Sequence, residues 1–113
     1  MLWEMEYRFD RAFYRVEYPH FLRPTLRLGD EPFQVLDLSE AGVRFSAPVP
    51  GRFEPGAAIV GVIELLAGQT VAVEGTVVRR QGHEVAVSLV RGIPFAVILD
   101  QQRLLQQRVF GFR

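Results

Sequence analysis

Two short stretches carry residue types that could hold an anion. "RAFYR", residues 11–15, sets Arg11 and Arg15 four positions apart with aromatics between them. A guanidinium can grip phosphate oxygens bidentately, or the O6 and N7 of a guanine. The spacing alone says little, because "RPTLR" repeats it at Arg23 and Arg27. That second pair falls on the polar face of a predicted strand beside Thr25, where solvation explains it. The first pair falls in an irregular lead-in, where no periodicity accounts for it. The other stretch is "DLSEAG", residues 37–42. Asp37 and Ser39 lie at a strand end and, two apart, point to one side, with Leu36 and Leu38 facing the core. Gly42 permits a bulge, a positive φ, or close approach of a ligand to the backbone. An equally simple reading is a bulged turn whose Asp and Ser satisfy local amides.

Other chemistry is thin. His20 and His83 could act as bases near neutral pH, but nothing marks a nucleophile beside either. His83 sits next to Glu84 in a predicted turn and reads as solvated. The chain has no cysteine, which excludes disulfides and thiolate metal sites, and no paired histidines at metal-ligand spacing. No Gly-rich phosphate loop appears. These absences point away from an enzyme, and no metal or cofactor is expected.

The elements that must position the two stretches are mostly strands. Residues 1–19 look irregular and end at Pro19. Alternating apolar and polar residues then predict strands at 22–28, 33–38, 42–47, 57–66, 69–80 and 84–90, separated by Gly- and Pro-rich turns. "LRPTLRL" puts Leu22, Leu26 and Leu28 on one face, and Pro24 suggests an edge or bulge. Six short strands at this spacing predict a small antiparallel barrel or sandwich. Residues 93–110, "IPFAVILDQQRLLQQRVF", predict a helix that opens at Pro94 and covers one end of the barrel or meets a partner.

The 113 residues suit one domain, and 49% hydrophobic content supplies a core without staples. The net charge is zero, so no global field draws nucleic acid or a membrane surface. All thirteen basic residues are arginine. A GC-rich genome explains that, as does a need for planar, bidentate contacts. The longest apolar run, "AAIVGVI", is too short to cross a bilayer, and the N-terminus lacks a secretory pattern. The chain therefore reads as cytoplasmic, with no membrane insertion. Neutral charge and the lack of an aromatic-basic strand pattern disfavour DNA or RNA as a partner.

Taken in order, "RAFYR" and "DLSEAG" resemble the signature of the PilZ domain family, bacterial receptors for cyclic di-GMP. That signature is Arg-x-x-x-Arg, then a strand, then Asp-x-Ser-x-x-Gly. The resemblance covers nearly the whole chain. It implies a mainly β fold: a six-stranded antiparallel PilZ-type β-barrel with a C-terminal α-helix. The single domain spans 1–113, with a mobile N-terminal segment at 1–19, the barrel at 20–91 and the helix at 93–110. The resemblance further implies binding without catalysis. Arg11 and Arg15 would close over cyclic di-GMP from the N-terminal segment. Asp37, Ser39 and Gly42 would form the barrel surface beneath. Guanine N1–H and N2–H₂ are donors, and Asp37 and Ser39 offer acceptors. Arg79, at the end of "TVVRR", is a further contact, with strand register deciding between it and Arg80. Arg8 and Arg44 could add outer contacts, with solvated charge the better default. Asp10 stands where several family members carry a basic residue; it would oppose phosphate and could pair with Arg11. Ordering of the segment would pass the signal to a protein effector partner. The alternative is a PilZ-like interaction module that binds no nucleotide.

Overall fold

Strict alternation builds the barrel wall. In "TVAVEGTVV" the side chains of Val73 and Val77 are buried while Ala72, Glu74 and Thr76 are exposed, the period of a strand with one wet face. The computed structural model describes residues 14–110, and in them seven strands and one helix follow in order. They are β1 (Val16–Glu17), β2 (Thr25–Leu28), β3 (Glu31–Leu38), β4 (Gly42–Ser46), β5 (Ala58–Glu64), β6 (Thr70–Gln81), β7 (Glu84–Arg91) and α1 (Phe95–Phe110). All pairings are antiparallel. Around the wall the order is β3–β2–β5–β6–β7–β4, and β4 pairs back onto β3. The six strands thus close, so each of them is paired on both sides. This is the expected mainly β barrel with a C-terminal helix.

The lead-in differs from its expected irregularity through residue 19. Val16 and Glu17 pair with Leu38 and Asp37 of β3, and Val16 and Tyr18 are buried. Val16 alternates with exposed Glu17, too short a run to register as a strand in the sequence. The "LRPTLRL" strand also starts later, at Thr25, because a single 3-10 turn occupies His20–Leu22.

Two bulges set the register of the wall. Val35 pairs with Phe45, but Asp37 pairs with Arg44, so Leu36 is the extra residue in β3. Val77 pairs with Val87, but Arg79 pairs with Ala86, so Val78 is the extra residue in β6. An extra residue reverses the facing of everything after it. Leu36 is consequently half-buried rather than in the core, while Val35 and Leu38 are both fully buried. Asp37 turns to the outer face.

Helix α1 packs against β1 and the 3-10 turn Leu66–Gly68, burying Ile98 and Leu105. Pro94 caps it rather than opening it: its carbonyl accepts from Val97 N (2.9 Å) and Ile98 N (3.2 Å). One buried polar residue fixes the docking. Gln101 Oε1 accepts from Tyr18 OH (2.8 Å) and Leu66 N (3.2 Å), and its amide donates to Leu66 O and Gln69 Oε1 (3.2 Å each). Burial pushes the Tyr18 phenol above the ordinary tyrosine range. Gln101→Leu would leave the buried Tyr18 hydroxyl and the half-buried Leu66 and Gln69 groups without these bonds. The expected loss is about 2–3 kcal/mol, a fall in Tm on the order of 10 °C. Tyr18→Phe removes only one bond and should cost about 1 kcal/mol. Thermal melts of both variants check the ranking, and equal losses would contradict it.

Candidate ligand-binding cleft

With both bulges in place, one row of outward side chains crosses five strands. Glu17 pairs with Asp37, Asp37 with Arg44, Arg44 with Ala86, and Ala86 with Arg79. Residues directly opposite on neighbouring strands share a face. The row runs acid, acid, base, alanine, base, along about 19 Å of sheet at ordinary strand spacing. It forms the floor of a cleft of about 580 Å³, which Arg15, Ser39, Gly42 and Val78 also line.

Asp37 is the centre of this cleft. Its side chain is fully buried, yet two guanidinium groups neutralise it. Arg15 Nη1 donates to Oδ1 at 2.7 Å. Arg44 donates to Oδ2 from Nε at 2.8 Å and from Nη2 at 2.5 Å. Arg44 Nη1 also donates to Glu84. Arg44 therefore holds its proton more tightly than a free guanidinium, chiefly through the Asp37 hydrogen bonds. Arg15 spends one nitrogen on Asp37, and half its side-chain surface remains exposed.

Ser39 and Gly42 shape the turn beside the row. Ser39 Oγ accepts from Ala41 N (3.3 Å), and Ser39 N donates to Gly42 O (2.9 Å). Ser39 thus satisfies a local amide, as a turn serine does, while Asp37 serves guanidiniums instead. Gly42 has no positive φ. Its need is space: a Cβ there would lie 3.2 Å from Val87 O, tighter than ordinary contact.

The two candidate arginines of β6 separate cleanly. Arg79 faces the cleft beside Ala86 and makes no hydrogen bond or ion pair among the described residues. Arg80 pairs with buried Val85, so it faces the other way, where Nη2 donates to Ala47 O (2.9 Å) and Val49 O (3.1 Å). It ties down the loop after β4. Arg11 and Arg8 lie outside the described residues. Of the second Arg-x-x-x-Arg, Arg27 pairs with Glu64 on the exposed face at 2.7 Å, as a solvated strand residue would. Arg23 reaches Gln34.

The cleft also contains two residues outside the site expected from the sequence. Arg44 read as a solvated charge, but the β3 bulge sets it opposite Asp37. Glu17 was not singled out at all. A signal existed for the first: apolar Val35 and Leu38 are three apart, which breaks the period of two and marks a bulge between them. Nothing in "VEYP" marks Glu17 until the pairing of β1 is known. Among the described residues no cluster of His, Asp or Glu is arranged to hold a metal ion. No described helix is long and apolar enough to cross a membrane.

Fold and cleft together define a small closed antiparallel barrel with an arginine–carboxylate cleft on its outer wall. The family model described as "PilZ domain" matches residues 9–111, and the chain belongs to that family. PilZ domains are regulatory receptor or adaptor modules. Among solved structures the chain is similar to the "PilZ domain with c-di-GMP of YcgR from Escherichia coli", with TM-score 0.57 and 14% identity over 88% of each chain. It is also similar to the Bacillus subtilis inhibitor of motility, MotI/DgrA, with TM-score 0.52 and 17% identity. That match covers 91% of this chain and 53% of the other. A search of curated proteins finds no match at the threshold applied.

Proposed function

We propose that the chain is a cyclic di-GMP receptor that passes the level of this second messenger to a protein partner in the cytoplasm. The observation that carries the reading is the cleft, whose floor row carries Asp37 and Arg79 and whose lining adds Arg15, Ser39 and Gly42. Asp37 holds Arg15 in place, leaving that arginine's other donors for phosphate or guanine. Arg79 stands across the cleft as a second cation, with Val78 and Ala86 forming an apolar ledge on which a flat base can lie. Arg11, four positions before Arg15, adds a third cation in this reading. Ligand would draw Arg11 and Arg15 together, and ordering of the segment ahead of β1 would be the signal. The neighbour solved with c-di-GMP supports the ligand class.

A partner surface has a specific candidate. Phe95, Leu99 and Phe110 fall in one stripe of α1 and are 46%, 46% and 74% exposed. This stripe also favours the second reading, an interaction module whose partner binding ignores nucleotide.

Isothermal titration with cyclic di-GMP tests the receptor reading. Micromolar or tighter binding is expected from a few charge-assisted contacts. Arg15→Ala and Arg79→Ala should each weaken it about tenfold or more. Arg80→Ala should leave affinity within about twofold while lowering stability, because Arg80 serves the Ala47–Val49 carbonyls instead. No heat at millimolar ligand would defeat the reading. Equal losses for Arg79→Ala and Arg80→Ala would defeat the register argument.

A further inference from the structure

We infer that Glu17 reads the donor edge of guanine and sets the base specificity of the cleft, an inference that rests on the receptor reading above. The acceptors still open in the cleft decide the assignment. Asp37, the residue first expected to accept from guanine, is fully buried, and both its oxygens are already taken by Arg15 and Arg44. Ser39 is 3% exposed and accepts from Ala41 N. Neither presents its remaining lone pairs to an incoming base, because both side chains are buried. Glu17 does. It sits directly opposite Asp37 on β1, lines the same cleft, is exposed, and makes no ion pair among the described residues.

The chemistry of that carboxylate selects its ligand. Guanine presents N1–H and N2–H₂ side by side, two donors that match the two oxygens of one carboxylate. Adenine presents an acceptor at N1, which a carboxylate repels. Glu17 also opposes phosphate at its own end of the row, whereas Arg79 attracts it at the other. The row therefore gives a bound nucleotide a direction, with a base towards β1 and a phosphate towards β6. The arrangement carries a cost in the empty protein, because like charges directly opposite are destabilising. The two guanidiniums on Asp37 offset it.

A ligand pair that differs in one group isolates this role. Cyclic di-IMP lacks only the N2 amino groups of cyclic di-GMP. Wild-type protein should prefer cyclic di-GMP about tenfold or more, the usual worth of a paired donor on a base edge. In Glu17→Ala and Glu17→Gln the preference should shrink to about twofold or less, with unchanged Tm or a small rise. A merely structural role for Glu17 would weaken both ligands equally and keep their ratio, so a preserved ratio in both variants overturns the inference while the receptor reading stands. Tighter binding of cyclic di-GMP by Glu17→Gln would overturn it as well, by making Glu17 only a repulsive charge. Failure of wild type to bind either nucleotide would overturn the receptor reading and this inference with it.

Discussion

Replacing Asp37 with alanine is expected to weaken cyclic di-GMP binding on the order of 100-fold and to cost the fold about 2 kcal/mol. The two effects have different origins. For stability, Asp37→Ala strands two guanidiniums around a small cavity. A fully buried pair broken this way would lose about 3–5 kcal/mol. Here Arg15 is 51% exposed and Arg44 32%, so both can recover water, and the loss is smaller. For binding, the carboxylate fixes both arginines in advance. Without it the ligand must order them itself, at about 0.5–1.5 kcal/mol for each long side chain, and loses their aim as well. Asp37→Asn separates charge from shape. Its amide oxygen can hold one guanidinium, but its NH₂ meets the other donor to donor, so it should fall between wild type and alanine. Urea unfolding and titration on the same samples check both numbers. Wild-type affinity in Asp37→Ala would remove Asp37 from the site, and wild-type stability would mean that the buried ion pair contributes nothing.

The barrel itself was legible because its strands obey a period of two almost everywhere. "TVAVEGTVV" and "EVAVSLV" alternate cleanly, and their pairing follows. The cleft was legible only in part. Arg15, Asp37, Ser39, Gly42 and Arg79 all line it, but their roles depend on two single-residue insertions in the wall. In β6 the run Val77–Val78–Arg79–Arg80 reads equally well in either register, so the sequence cannot choose between the arginines. The bulge at Val78 chooses. In β3 the bulge at Leu36 aims Asp37 at Arg44, a contact between residues seven apart with a turn between them. Local alternation has no memory across that turn. Gln101 was hidden for another reason: a glutamine inside a helical pattern reads as surface, and only the docking of Tyr18 and Leu66 makes it core.

The second large effect is expected at Gly92, where alanine should cost about 3 kcal/mol or more, enough to unfold a marginal domain. A Cβ built on Gly92 would lie 2.2 Å from Glu40 O and 3.3 Å from Glu40 C. Both are backbone atoms, so no side-chain rotation can relieve the clash, and overpacking of this kind forces the backbone to shift. Neither neighbour is free to yield. Glu40 lies in the Ser39–Gly42 turn, whose Ala41 carbonyl accepts from Leu89 N at 2.9 Å. On the other side Glu40 O accepts from Ile93 N at 3.0 Å, and Ile93 is a buried core residue just ahead of α1. The methyl group must therefore displace either the cleft's turn or the anchor of the helix. The contact also makes a distinct prediction about rescue. Truncating the Glu40 side chain in a Gly92→Ala/Glu40→Ala double variant should restore nothing, because the obstacle is the carbonyl. Chemical denaturation of the single and double variants reads this directly. A Gly92→Ala protein within about 1 kcal/mol of wild type, or one rescued by Glu40→Ala, would show that the two segments approach less closely than the clash requires.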